Sequence, residues 1–256
     1  MYHNTMLEQL QIYKTVYAKR RVGGPYDGGY VISDVAGSYD AIIAGGVCDD
    51  ISFEQELLDT FPGIPCFAFD GTIDTLPVQD PRVTFVKKNI GSGVVAATDN
   101  LEPATTNLHE YIHRYSDIFL KMDIEGHEFR VFPTFTQTEM KKFKQVVIEI
   151  HSPFIIQNRP MWFHQLEDIS DQHLVDLIAQ FHQTHTLVHV HPNNACMYHF
   201  IEGHAIPDIF ECTFLRNDLV HGTEISTNTE SLPTKLDAPN LPNRPELLFR
   251  TYPFVG

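Results

Sequence analysis

Short apolar runs that end in glycine and acid constrain this chain most. LKMDIEGHE at 120–128 delivers Asp123 from an apolar run and then turns through Glu125 and Gly126. Earlier, YDAIIAGGVCDD at 39–50 makes the same move into Gly45 and Gly46, with Asp49 and Asp50 just beyond. Further runs, PCFAFD at 65–70, VTFVKK at 83–88, DIFLKMD at 117–123 and QVVIEIH at 145–151, read as buried strands. Helical patterns separate them at 52–61, where Ser52 is the expected N-cap, and over roughly 125–143. Such alternation predicts a parallel sheet with helical crossovers. A helical pattern around 162–184 follows, then TLVHVH at 186–191 and IFECTFLR at 209–216, which fit an antiparallel edge of the same sheet.

The 256 residues read as one domain. An N-terminal helix over 5–18, carrying Leu7, Leu10, Tyr13 and Tyr17, and a glycine-rich loop at 23–29 make a cap at 1–38. The core spans 39–223, and a Pro-rich tail at 224–256 is expected to wrap the domain or stay disordered. The net charge of -15 argues against a nucleic-acid partner, which would require clustered Lys and Arg. Lys19-Arg20-Arg21 and Lys141-Lys142 read as solvated helix ends. Four cysteines fit no zinc spacing, and no apolar stretch approaches the ~18 residues of a membrane span, so a reduced, cytoplasmic protein is expected.

Open α/β sheets bind ligands beyond the carboxyl ends of their strands. Asp70 lies 24 residues after Gly46, close to the ~20 expected of an acid that holds an adenosine ribose. AGGVCDD lacks the third glycine of GxGxxG, and Asp49 and Asp50 stand where a pyrophosphate would be repelled. A cationic, phosphate-free nucleoside such as S-adenosylmethionine suits these ends better than a dinucleotide. Loop glycines with solvated acids are the bland alternative.

VGGPYDGGYVI at 22–32, AGGVCDDISFE at 44–54, FAFDGT at 67–72, LKMDIEGHE at 120–128 and VVIEIH at 146–151 resemble segments of the FkbM-type S-adenosylmethionine-dependent methyltransferases and their class I relatives. HVHPNN at 189–194 and IPDIFECTFLR at 206–216 extend the resemblance over about 20–216; Gly71 departs from it, standing where many relatives have Pro. The resemblance implies an α/β, Rossmann-like class I methyltransferase fold. Its sheet would be seven-stranded and mostly parallel, in the order 3-2-1-4-5-7-6, with an antiparallel last strand and helices on both faces. It puts Gly45, Gly46, Asp50 and Ser52 around the methionine part, Asp70 and Thr72 at the ribose, and Asn89, Ile90 and Gly91 beside the adenine, with Asp123 also bordering the cofactor. Asp27, Gly28 and Gly29 would close over cofactor or acceptor, unless they form a purely structural turn.

The resemblance further implies an O-methyltransferase acting on a sugar hydroxyl, for instance of a deoxyhexose such as rhamnose in a glycan. Methyl transfer needs an aligned acceptor oxygen relieved of its proton. The expected catalytic group is Asp123, Glu125 and His151, with His151 as general base or a divalent cation, Mg or Mn, on Asp123 and Glu149. Tyr26, Asp27, His191, Asn193 and Asn194 are expected to face the acceptor, and Phe154, Trp162 and Phe163 are candidates for stacking on sugar faces. Glu125 reads equally well as first-turn dipole compensation, His127 and Glu128 as helix-surface residues, and Glu211 as a buried paired carboxylate or a site residue. Two other functions stay open: a nicotinamide-dependent oxidoreductase on a similar sheet, and a non-catalytic module of a larger glycan-assembly protein.

Overall fold

A computed structural model describes residues 6–93, 105–163, 165–220 and 226–256. Strands β1 (Lys19–Val22) and β2 (Tyr30–Ser33) form an antiparallel hairpin. Along the chain follow β3 (Ala41–Gly45), β4 (Cys66–Phe69), β5 (Val83–Val86), the two-residue strands β6 (Asn89–Ile90) and β7 (Thr105–Thr106), β8 (Ile118–Met122) and β9 (Phe143–His151). Strand β10 (His185–Pro192), the hairpin of β11 (Tyr198–Ile201) and β12 (His204–Pro207), and β13 (Ile209–Arg216) complete the set. Seven of these make one sheet in the order β10-β13-β9-β8-β3-β4-β5. Counted within the sheet from the β5 edge, that order is 3-2-1-4-5-7-6. Strand β13 runs antiparallel to both β9 and β10, while the pairs from β9 to β5 are parallel.

Strands covered on both faces read as unbroken apolar runs, and every residue of β3, β8 and β9 is buried. Alternate side chains divide between two apolar clusters, Ile43, Leu120, Val146 and Ile148 on one face and Ile42, Ala44, Phe119 and Val147 on the other. The helices are α1 (Met6–Gln9), α2 (Ser52–Thr60), α3 (His109–Ile112), α4 (Glu128–Val131), α5 (Gln137–Met140), α6 (Pro153–Asn158), α7 (Asp171–His182) and α8 (Asn217–Val220). Helix α2 covers the second cluster through Phe53, Leu57 and Leu58, and α7 covers the first through Leu174, Leu177 and Phe181. Among the described residues, no helix is long and apolar enough to cross a membrane.

Several local expectations change. The N-terminal helix stops at Gln9, because the open edge of β10 captures the chain beyond it: the Tyr13 amide donates to the Leu187 carbonyl, and Tyr13 bridges Thr227. Lys19-Arg20-Arg21 lies in β1 and is no helix end. Arg20 pairs with Asp34 and Glu56, and the Arg21 guanidinium donates to the carbonyls of Gly24 and Tyr26, bracing the glycine-rich loop. The helical pattern at 125–143 breaks into α4, a 3-10 turn at Phe132–Thr134 and α5, since Pro133 cannot continue α4 and Thr136 with Glu139 forms a capping box that starts α5. The pattern at 162–184 becomes α7, opened by Ser170. Ser52 is the first helical residue of α2 and not its cap; its amide and hydroxyl donate to Asp50, which takes the capping role. The tail from 226 onward wraps the first cluster, burying Leu232, Phe249 and Phe254.

One backbone crossing sets how the strand ends meet. Gly46 has φ +73°, and a Cβ there would lie 1.6 Å from the Asp123 carbonyl oxygen. Only glycine fits both the left-handed conformation and the close approach. Gly46→Ala is therefore expected to cost about 3 kcal/mol or more of folding stability, read from the denaturant midpoint; an unchanged midpoint would show that the two loops can separate freely.

Candidate active site

The ends of β3, β4 and β8, with β6, share one edge. The Gly46 amide donates to the Phe69 carbonyl (2.9 Å), the Asp123 amide to the Gly45 carbonyl (3.0 Å), and the Gly71 amide to Asn89 Oδ1 (3.0 Å). Gly45 lies under Ile90, Met122 and Ile124, where a Cβ would come within 2.5 Å of Ile90. Beside Gly91 a Cβ would meet nothing among the described residues within 4 Å. Asp70 closes β4, and its Oδ2 accepts the Cys48 amide at 2.9 Å while Oδ1 accepts the amide and hydroxyl of Thr72 at 2.7 and 2.5 Å. Burial alone would raise the Asp70 carboxyl, but the bonds from Thr72 and Cys48 outweigh it and hold the group below the usual carboxylate range. Asp50, already bonded to Ser52, packs against Gly24 and Gly28, where Cβ atoms would fall 2.8 and 2.9 Å from its Oδ2. The glycine-rich loop is thereby clamped to the loop after β3.

Beside this edge lies a group of acids, two of them, Glu149 and Glu211, buried and the third, Asp27, exposed. Glu149 of β9 and Glu211 of β13 are direct cross-strand partners, and with Asp27 they offer oxygens that all fall within 4.8 Å of one another. Asn240 reaches in from the tail, its Nδ2 donating to Asp27 Oδ1 (2.9 Å) and Glu211 Oε1 (2.7 Å), with Oδ1 left unpartnered. Asn193 Nδ2 donates to Glu149 Oε2 at 3.0 Å, and His191 Nδ1 lies 3.2 Å from Glu211 Oε2. Asp123, Glu125 and His151 make a second group, tied to the first because His151 Nε2 is 3.1 Å from Glu125 Oε2 and 3.5 Å from Glu149 Oε1. Asp123 and Glu149, expected to share one cation, thus belong to adjoining groups. The Tyr30 hydroxyl donates to Asp123 Oδ2 (3.1 Å), and buried Lys121 donates from Nζ to the Gly46 carbonyl (2.7 Å).

Titration in this region follows burial and like charge. Glu149 is raised well above the usual glutamate range by burial, then by Asp123, Glu211 and Asp27, and burial likewise raises Asp123. His151 goes the other way from a buried neutral imidazole: burial pulls it down, but Glu125, Glu128 and Asp123 bring it up to about 8. The same competition, won by Glu211 and Glu246, takes His191 to about 10.

Other expected residues land elsewhere. Glu125, with φ +56° and a side chain 75% exposed, precedes α4 instead of sitting in its first turn. Glu128 is fully buried rather than on a helix surface, because its Oε1 folds back to accept the Ile124 amide (2.9 Å) and fixes the turn after Asp123; burial lifts it to about 7. His127 is half-buried. Asn194 holds the tail through the Leu241 and Arg244 backbone. Tyr26 and Trp162 are exposed, Phe163 is buried against the His151 ring, and Phe154 stacks on His199. Sequence reasoning missed Tyr30, Lys121, Asn240 and Glu246 as site residues. Tyr30 sat inside the DGGYV motif and Lys121 inside LKMD, whereas no local pattern marks Asn240 or Glu246.

A family model described as the Methyltransferase FkbM domain matches residues 68–182, the stretch from β4 through α7 that contributes Asp70, Asp123, Glu149 and His151. The resemblance read from the sequence holds over this stretch. A comparison with curated proteins found no match. Solved structures similar to this chain include a candidate hemolysin from Streptococcus thermophilus, at 13% identity and TM-score 0.36, covering 72% of this chain and 62% of that one. Another is the precorrin-6y C5,15-methyltransferase of Geobacter metallireducens GS-15, at 9% identity and TM-score 0.33, covering 70% of this chain and 81% of that one. The plantazolicin methyltransferase BpumL, solved with a monoazolic desmethylPZN analog and SAH, gives 8% identity and TM-score 0.31 over 71% of this chain and 77% of that one. The chain thus spans less than two thirds of the length of the first of these. Likeness of this degree carries no argument about function.

Two measurements check the electrostatics. His151 should titrate near 8 by NMR, and Glu125→Gln should move it downward; an unmoved value would exclude Glu125 as its partner. A raised histidine stabilises the fold fully below its ordinary 6.5 and loses that contribution as pH rises through about 8, about 2 kcal/mol in all. Glu149→Gln should raise the melting temperature at neutral pH, since it replaces a carboxyl whose ionisation burial and the neighbouring acids oppose. The gain should fade as pH falls toward 4.5, and a loss of stability at neutral pH would contradict this reading.

Proposed function

We propose that this chain, whose residues 68–182 match the FkbM methyltransferase domain, is an S-adenosylmethionine-dependent O-methyltransferase acting on a sugar hydroxyl. The observation that supports it best is the shared edge at which Gly45, Gly46, Asp70 and Asp123 meet, beside a partly buried cluster of acids and histidines. The edge suits a positively charged, phosphate-free ligand: Asp70 stays ionised, and Glu149, raised by burial and by neighbouring acids, would be relieved by a positive charge nearby. When bound, the cofactor supplies an electrophilic methyl group on a sulfonium.

The chain's residues do the rest. Asp70 Oδ2 keeps a lone pair to accept a ribose hydroxyl in the orientation fixed by Thr72 and Cys48. On this reading main-chain groups of Gly45 and Gly46 face the methionine part, Asp50 and Ser52 hold the loop beyond them, and Asn89, Ile90 and Gly91 border the adenine. His151 carries a proton below about pH 8 and accepts one from an acceptor hydroxyl above it, so turnover should rise with pH through that value. Glu125 orients the imidazole. Asp27, Glu149 and Glu211 fit a hard cation such as Mg or Mn, since all three supply oxygens and the Asn240 carbonyl oxygen is unpartnered beside them. Asp123 adjoins that group. On this reading Tyr26, His191 and Asn193 would face the acceptor, whose sugar class rests on the family resemblance.

Calorimetry should show binding of S-adenosylmethionine or its demethylated product and none of NAD. Mass spectrometry on a panel of sugars, with and without a chelator, should then detect the gain of one methyl unit, and unchanged turnover after complete metal removal would eliminate the cation. His151→Ala should lower kcat about 100-fold with cofactor affinity nearly unchanged. NAD binding without S-adenosylmethionine binding would sink the reading.

A further inference from the structure

Far from the strand ends just described, at the amino ends of β8 and β9, two short helices bring three metal-ligating side chains together. His109 and His113 stand four residues apart at α3 and so project from one face. Both address a single oxygen of Glu139 in α5: His109 Nδ1 lies 2.5 Å and His113 Nε2 2.8 Å from Oε1. The other oxygen, Oε2, is held by the amide and hydroxyl of Thr136, each at 2.8 Å, so the capping box that starts α5 also aims Oε1 at the imidazoles. The side chain of Glu139 is only 8% exposed, whereas that of His113 is 63% exposed and opens the cluster to solvent.

The donor set decides the ligand. Two imidazole nitrogens and one carboxylate oxygen, all within 4.8 Å of one another, are the ligands of a borderline first-row cation, and hard Mg or Ca prefers oxygens alone. In the arrangement seen here, two ring nitrogens crowd one oxygen. A zinc ion among the three would take a lone pair from each at about 2.0–2.2 Å, with water completing a tetrahedron. Thr136 already supplies the outer hydrogen bonds that fix a metal-ligating carboxylate.

We infer that His109, His113 and Glu139 form a binding site for a zinc-type divalent cation that clips α3 to α5. The site is separate from the methyl-transfer residues, so it stands or falls independently of the proposed function. Metal-stripped full-length protein is titrated with zinc against a chromophoric competitor, and the melting temperature is followed in parallel. The wild type should bind with a melting temperature that rises on the first equivalent. His113→Ala, a change at an exposed side chain, should weaken that binding at least tenfold and abolish the rise. The His109→Ala/His113→Ala double variant should lose the site, and cobalt in the wild type alone should give the visible absorption of a tetrahedral centre. Equal zinc affinity in wild type and His113→Ala, or no saturable binding in the wild type, overturns the assignment.

Discussion

Two loops leaving neighbouring strands can share one edge only where one of them carries no side chain in the path of the other. That place is Gly46, whose Cα lies against the Asp123 carbonyl. Because the loops cross there, the Asp123 amide reaches Gly45, the turn beyond Gly46 carries the Cys48 amide to Asp70, and Lys121 caps the Gly46 carbonyl. The carboxylates of β4 and β8 therefore belong to one surface. Their proximity follows from a steric permission at Gly46, which the hydrogen bonds between the loops then hold.

The acids beside that surface pull against folding. Glu149 and Glu211 are buried side by side with the exposed Asp27 against them, and the protein offsets their repulsion by surrounding them with His151, His191, Asn193 and Asn240. Concentrated like charge that weakens the fold is characteristic of a site shaped for a ligand, since packing alone would favour apolar residues there. The counter-residues arrive from β9, β10 and the tail, so three distant stretches of chain must be in place before the acids are tolerable.

What the sequence made legible depended on how local the signal was. Buried strands announce themselves as apolar runs, so AIIAG, CFAF, IFLKM and the run ending at His151 were readable, as were the turns at Gly46 and Gly126. The antiparallel pair at 185–192 and 209–216 was visible for the same reason. Helices were read too long wherever apolar spacing continued across a break: Pro133 and the Thr136 cap cut one, and an open sheet edge pulled Tyr13 out of another. Glu128 misled because its helical position suggested solvent, while its carboxylate turns back to the Ile124 amide. Asn240 was unreadable, for its role is set by contacts with Asp27 and Glu211, 213 and 29 residues away.

The antiparallel insertion of β13 between β9 and β10 gives the centre of the molecule a particular fragility. Side chains on a strand alternate between faces, so Glu211 meets Glu149 and His191 in one alignment only. A slip of a single residue along β13 would present Phe210 or Cys212 in its place and turn the carboxylate into the opposite apolar layer. A one-residue insertion or deletion in this strand would thus erase the polar centre while leaving the hydrogen-bonded ladder able to re-form.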